Sequence, residues 1–310
     1  AEGQIWYNST DQVFRNMLGV QAWASSGSMS TARFALGGIG TQTAALGFGG
    51  YIIGTGDKNS TEEYNGSGFS TGGNLGTARR SISGCGTQTA GLAFGGFNSL
   101  TATEEYGGTS WTGGGNLNTG RRNLAGAGTQ TAGLAFGGSS TTVLSNTEEY
   151  DGSSWTASGV LNTARGDLAG AGTQTAGLAF GGNTTAVSSS NEEYNGTSWT
   201  ESNSMNTARK YLAGAGIQTS ALAFGGLITA NTNVTEEYDG TNWRTSPATL
   251  ATTRRRLGGA GANNLAAVAF GGETTTQVSA TEEYNKSVNV ITGAAWASGG
   301  NMSTAKYGAA

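Results

Sequence analysis

Apolar positions in this chain fall in short clusters such as GLAF, TEEY and SSW, each bounded by Gly, Ser, Thr or Asn. Clusters this brief, cut by turn-forming residues, predict many short strands rather than long elements. The Ala-rich stretches also suit a helix on composition. Gly at every second or third position would cost that helix roughly 1 kcal/mol each, so strands are expected throughout.

The clusters repeat. The plainest copy runs TARGDLAGAGTQTAGLAFGG, then a variable stretch, then NEEYNGTSWT, from Thr163 to Thr200. FGG begins at Phe48, Phe94, Phe136, Phe180, Phe224 and Phe270, at spacings of 46, 42, 44, 44 and 46 residues. EEY ends at Tyr64, Tyr106, Tyr150, Tyr194, Tyr238 and Tyr284 with nearly the same step. A period in the forties is that of a four-stranded propeller blade. Strand A follows the TAR triplet, strand B is TAGLAF ending in Gly-Gly, strand C is TEEY, and strand D carries the Trp. GTQ turns A into B, and NG, DG or GG with Ser or Thr turns C into D.

Strand B ending in a double Gly, Tyr in C and Trp in D resemble the kelch repeat, over residues 24–310. The resemblance implies an all-β fold, a closed β-propeller of four-stranded kelch-like blades. The small strand A (LAGAGTQ) and the EE pair before each Tyr depart from that pattern.

Six copies of FGG and EEY suggest six blades, but the flanks suggest seven. Strand D aromatics number seven (Trp23, Phe69, Trp111, Trp155, Trp199, Trp243, Trp296), as do strand A openers (Arg33, Arg79, Arg121, Arg165, Arg209, Arg254, Lys306). Residues 4–23 read as B, C and D strands of a partial blade and STAKYGAA, Ser303 to Ala310, as its innermost A strand. The expectation is one domain over 1–310: a partial blade in 1–32, six repeats in 33–302, and a seventh blade closed by the strand at 303–310. Six blades are the alternative. Closure from both ends would hide sheet edges.

Composition then narrows function. With 55 Gly, 7 Trp, 10 Tyr and 10 Phe, the chain is too aromatic for a disordered linker. A net charge of −4 without basic excess argues against a nucleic-acid partner, and no apolar run suits membrane insertion. The N-terminus AEGQIWYNST has no basic and apolar leader pattern. Cys85 is alone and His is absent. Metal hydrolysis and Ser or Cys triads lean on His, so no metal, cofactor or catalytic residue is expected and the chain is read as a non-enzyme. The Glu pairs are adjacent and repeated sixfold, unlike the two opposed carboxylates of a glycosidase.

Twelve of the 20 acidic residues are the EE pairs, and twelve of the 16 basic ones sit at strand A openings. Strands A and C lie two spacings apart, roughly 9.6 Å, with the side-chain-free Gly-Gly between them. Arg79, Arg121, Arg165, Arg209 and Arg254 are therefore read as structural ion-pair partners of Glu62, Glu104, Glu148, Glu192, Glu236 and Glu282. Alternation along a strand would send the following residues the other way, making Arg80, Arg122, Lys210 and Arg255 a candidate anion ring at the channel mouth. Phe34, Gly166 and Tyr307 leave that ring incomplete.

The A-to-B and C-to-D turns stay constant, whereas the B-to-C loops differ in every copy, from YIIGTGDKNS to ETTTQVSA. Drift of surface loops explains this as readily as function does. The functional reading places a ligand on that face, at Tyr51, Asp57, Lys58, Phe97, Asn98, Leu227 and Asn231. Rings flanked by Asn, Asp and Ser suit a sugar. The opening GQIWYNSTDQVFRN is similar to hairpin segments of phage tail fibres, and the tandem TEEYDGSSWT-like units to repeats in phages of marine bacteria. That resemblance implies a virion or extracellular location. Its partners would be other virion proteins, a host surface glycan or receptor, or further copies of the chain in a homo-oligomer. A secreted adhesin or filament subunit and an intracellular protein-interaction scaffold are the alternatives.

Overall fold

The computed structural model describes the backbone of residues 5–8 and 13–292 and the side chains of residues 21–287. Two compact units divide the chain: residues 21–286, and residues 1–20 with 287–310. In the smaller unit Ile5–Asn8 pairs antiparallel with residues 13–16 as a hairpin. The larger unit is a β-propeller of four-stranded antiparallel blades, with no helix among the described residues.

Blade four shows the plan. Strand A, Ala169–Gly172, pairs with B, Gly177–Phe180; B pairs with C, Asn191–Tyr194; C pairs with D, Trp199–Ser202. The innermost strand A is AGAG because its neighbours leave no space for more. A Cβ on Gly170 would lie 2.5 Å from the Phe136 ring and 3.0 Å from the Gly126 carbonyl of blade three. Gly126 and Gly214 are equally confined by Phe94 and Phe180. The small strand A is thus a packing requirement at the crowded axis.

Each blade buries the last four residues of its B strand. The Phe that ends the strand presses against the strand D aromatic of the next blade, a Trp at five seams and Phe69 at the sixth. Phe94 meets Trp155 at 5.0 Å and Phe136 meets Trp199 at 4.9 Å between ring centroids. Such edge and tilted pairs add to the area they bury. Polar staples cross the same seams. Gln174 Nε2 donates to the carbonyls of Gly133 and Tyr150 at 3.1 and 2.7 Å, which explains the Gln of every GTQ turn. The Tyr194 hydroxyl donates to Glu149 at 2.5 Å, using the second Glu of the previous blade's pair. Burial and that carboxylate push the hydroxyl up to about 12, so it stays a donor.

The ring holds six blades, not seven, and one circuit of hydrogen bonds demonstrates it. The N–H groups of Ser81, Asn123, Asp167, Tyr211 and Arg256 each donate to the equivalent carbonyl one blade back. Ala35 closes the loop by donating to Arg256, all at 2.8–3.0 Å. Each of these six residues has φ between 53° and 57°. A left-handed non-glycine residue costs of order 1–3 kcal/mol, offset here by satisfying backbone groups that line the channel.

Blade six is completed by the N-terminal strand. Its own strands are Gly258–Asn263, Ala266–Phe270 and Thr281–Thr292, and the fourth place in the sheet is taken by Val13–Ser26. Trp23 fills the strand D role: its Nε1 donates to Thr235 at 2.9 Å, and its ring lies 5.0 Å from Phe224 and 5.3 Å from Tyr284. The expected seventh blade counted Trp23 and Trp296 as separate strands D, whereas the ring has one such place left and Trp23 holds it. The N-terminal segment also forms one continuous strand over residues 13–26 in place of the expected separate C and D strands. The expected closing strand at 303–310, with Trp296, lies outside the described residues.

Candidate functional site

The strand A openers hold the blades together from within. Arg165 is fully buried; its Nη1 donates to the carbonyls of Gly181 (3.3 Å) and Ser190 (2.5 Å). Its Nη2 donates to Ala179 (3.1 Å) and to Glu192 Oε1 (3.1 Å). The same carboxylate receives the backbone N–H of Asn162 at 2.7 Å and its side-chain amide at 3.0 Å. One ion pair therefore ties the connection from blade three to strands B and C of blade four. Equivalent pairs join Arg33 to Glu62, Arg79 to Glu104, Arg121 to Glu148, Arg209 to Glu236 and Arg254 to Glu282, at 3.0–3.2 Å. Arg33 had not been singled out as a partner from the sequence. Burial lowers Arg121 and Arg209 to about 10, leaving both protonated at neutral pH.

Above the ring of left-handed residues lies a cavity of about 390 Å³. Its walls carry three guanidinium groups, Arg80, Arg122 and Arg256, and four aromatic rings, Phe34, Tyr51, Phe97 and Tyr211. Ala35, Ser81 and Asn123 complete the lining. Arg80 sits 3.7 Å from the Phe97 centroid and 4.4 Å from that of Tyr51, and pairs with Asp57 at 2.7 Å. Its charge is thus stacked, fixed and balanced. Arg255 and Arg256 share one carboxylate, Glu273, at 2.8 and 3.1 Å, and Arg256 also covers the Tyr211 ring at 4.2 Å.

Arg122 differs from these. It forms no ion pair among the described residues, and its nearest ring, Phe97, is 5.4 Å away. Lys210 Nζ donates to the neutral Asn183 Oδ1 at 3.3 Å and lies 5.4 Å from the Tyr211 ring centroid, with no ion pair among the described residues. Below, on the ring itself, Asp167 has an Oδ1 without a hydrogen-bond partner. Burial pushes its carboxyl up to about 6, against the pull of Lys210, Arg256, the Tyr211 hydroxyl and Arg122. Arg80, Arg122, Lys210, Arg255 and Arg256 against Asp57, Asp167 and Glu273 is five positive charges to three negative, a local excess of two on a chain of net −4. Concave low-dielectric walls concentrate such a field.

Two sets of residues read separately from the sequence meet here. Tyr51 and Phe97 of the variable loops line the same cavity as Arg80 and Arg122, and Asp57 braces it. Lys210 and Arg255 stand outside the lining. Lys58 bonds within its own loop to Thr55, and Asn98 adopts a left-handed turn conformation, φ 66°. Leu227 bridges Lys210 and Asn231, and the Asn231 amide is spent on the carbonyls of Glu273 and Thr274. Phe34, Tyr211 and Arg256 were missed as lining residues. Arg256 rather than Arg255 faces the cavity because the left-handed residue interrupts strand alternation. The available signal was the position two after each first opener, where Ala35, Ser81, Asn123, Asp167, Tyr211 and Arg256 all differ.

Cys85 is buried, and burial pushes its thiol up to about 12, so it is a packing residue beside Leu92 and Phe94. Among the described residues no cluster of three His, Cys, Asp or Glu side chains is placed to hold a metal. No protein-family model matches the chain, and no curated protein matches it.

Proposed function

We propose that this chain is a non-enzymatic recognition propeller that holds an anionic sugar at the channel mouth. The observation that carries the reading is the cavity of about 390 Å³ in which Arg122, without a carboxylate partner, sits among four aromatic rings. A half-buried guanidinium left unpaired favours a bidentate carboxylate. The rings suit the C–H face of a pyranose, and Ser81 and Asn123 suit its hydroxyls. The volume is that of a small-ligand site.

The setting we propose is the surface of a phage particle or an extracellular one, with kelch-like blades as a rigid support. What supports it is a resemblance read from the repeat and N-terminal motifs of the sequence alone, together with a site suited to acidic bacterial surface polysaccharide. Fluorescently labelled protein incubated with a panel of bacterial strains tests the reading. Strain-selective binding that is lost in Arg122→Ala is the expected result. Binding to no strain by folded protein would remove the receptor role and leave a purely structural one.

A further inference from the structure

The rings and cations at the channel mouth form a horseshoe with one opening. On one arm Arg122 lies 5.4 Å from the Phe97 centroid, and Arg80 lies 3.7 Å from Phe97 and 4.4 Å from Tyr51. On the other, Lys210 lies 5.4 Å from the Tyr211 centroid, and Arg256 lies 4.2 Å from Tyr211 and 5.9 Å from Phe34. Tyr51 and Phe34 join the arms edge to face at 5.4 Å. Inside the arms Arg80 and Arg256 are paired with Asp57 and Glu273. The two tips, Arg122 and Lys210, have no ion pair among the described residues.

The opening between the tips is Gly166. It bridges to Asn183 as Arg122 does to Ser139 and Lys210 to Leu227, so it holds the place where its neighbours carry cations. A Cβ on Gly166 would find its nearest neighbours at 3.5 Å or more. Arg122 and Tyr211 line the larger cavity on either side, so a sugar held there can extend its acid group into the opening. Next to Gly166 stands Asp167, pinned in the ring by its N–H donating to Asn123 and its carbonyl accepting from Tyr211, both at 2.9 Å. It lines a second cavity of about 120 Å³ that shares Ser81, Asn123, Tyr211 and Arg256 with the larger one. Its Oδ1 is buried without a hydrogen-bond partner, a cost that a bound group can remove.

We propose that the acid group of the ligand is seated in the opening at Gly166, between Arg122 and Lys210, and accepts a hydrogen bond from a protonated Asp167. This rests on the anionic-sugar reading above and adds where the acid sits and that it binds together with a proton. An ionised Asp167 repels a second carboxylate, so the protonated form is the one that binds. Burial pushes this carboxyl up to about 6 against the groups that face it, Lys210, Arg256, the Tyr211 hydroxyl and Arg122. The site is therefore competent below pH 6, and each unit of pH well above 6 cuts the competent fraction about tenfold.

Calorimetry of the full chain with glucuronate, galacturonate and N-acetylneuraminate tests this, at pH 5.5, 7 and 8 in buffers of different ionisation enthalpy. The expected result is an acid that binds about tenfold more weakly at pH 8 than at pH 7, taking up about one proton at pH 8. Asp167→Asn, whose amide donates at every pH, should keep binding and lose both the slope and the proton uptake. Gly166→Leu fills the opening and should weaken binding tenfold or more in protein that still folds. Affinity that is flat from pH 5.5 to 8, or a slope that survives Asp167→Asn, overturns the proposal, as does acid binding unaltered by Gly166→Leu. Any of these with acid binding still lost in Arg122→Ala leaves the anionic-sugar reading standing, whereas no acid binding at any pH overturns both.

Discussion

Replacing Arg165 tests whether the six buried ion pairs carry the fold. Arg165→Met keeps most of the side-chain volume and removes every donor. The carbonyls of Ala179, Gly181 and Ser190 then lose a partner, and Glu192 is left as a buried carboxylate facing no cation. Breaking a buried pair from one side costs about 3–5 kcal/mol, mostly from the stranded charge. Glu192→Gln is milder, about 1–3 kcal/mol, because an amide oxygen can still accept from Arg165 and from the Asn162 N–H. Arg165→Met with Glu192→Leu strands no charge, so its cost should fall well below the sum of the two single changes. The Nε of Arg33, Arg79, Arg121, Arg165, Arg209 and Arg254 has no hydrogen-bond partner, which limits what each intact pair contributes over an apolar replacement. Urea denaturation followed by Trp fluorescence gives all three values. A loss below about 1 kcal/mol for Arg165→Met would refute the reasoning, since such a small cost is that of a solvated surface pair.

Two further outcomes follow from the axis of the ring. Gly170→Ala drives a methyl to 2.5 Å from Phe136 and should lower stability by about 1–3 kcal/mol, against about 0.5 kcal/mol or less for Gly113→Ala, whose surroundings are open and whose backbone is not left-handed; equal losses in thermal unfolding would contradict the crowding argument. Asp167 is pushed up to about 6 in the fold against about 3.9 unfolded, so its protonated form is favoured there. Stability from this group is present below about pH 4 and is lost as pH rises to about 6, reaching about 3 kcal/mol. Asp167→Asn should therefore melt higher than the parent at pH 7 and alike at pH 3.5, and the reverse order would contradict the assignment.

The blade was legible in the sequence because its rules are local. The FGG and EEY spacing, the turn residues and strand alternation name each strand, and the separation of A and C brings Arg165 opposite Glu192. Blade number was not legible in the same way. Trp23 and Trp296, like Arg33 and Lys306, are two copies of one sequence motif. Only the long-range contact of Trp23 with Phe224 and Thr235 shows which end docks. The site was legible in part for a related reason. Period-two alternation found Arg80 and Arg122, but the left-handed residue after each opener breaks the period and brings Tyr211 and Arg256 to the mouth. Hydrogen bonding around a closed ring imposes that conformation, and nothing local in YLAG or RLGG announces it.

Titration calorimetry of the parent protein with glucuronate, galacturonate and N-acetylneuraminate, beside glucose and galactose, tests the proposed site most directly. The account predicts binding of at least one acid over its neutral counterpart, weakened tenfold or more in Arg122→Ala by loss of a charge-assisted pair worth about 1.5–3 kcal/mol. Equal affinity for acidic and neutral sugars, or acid binding untouched by Arg122→Ala, would contradict it.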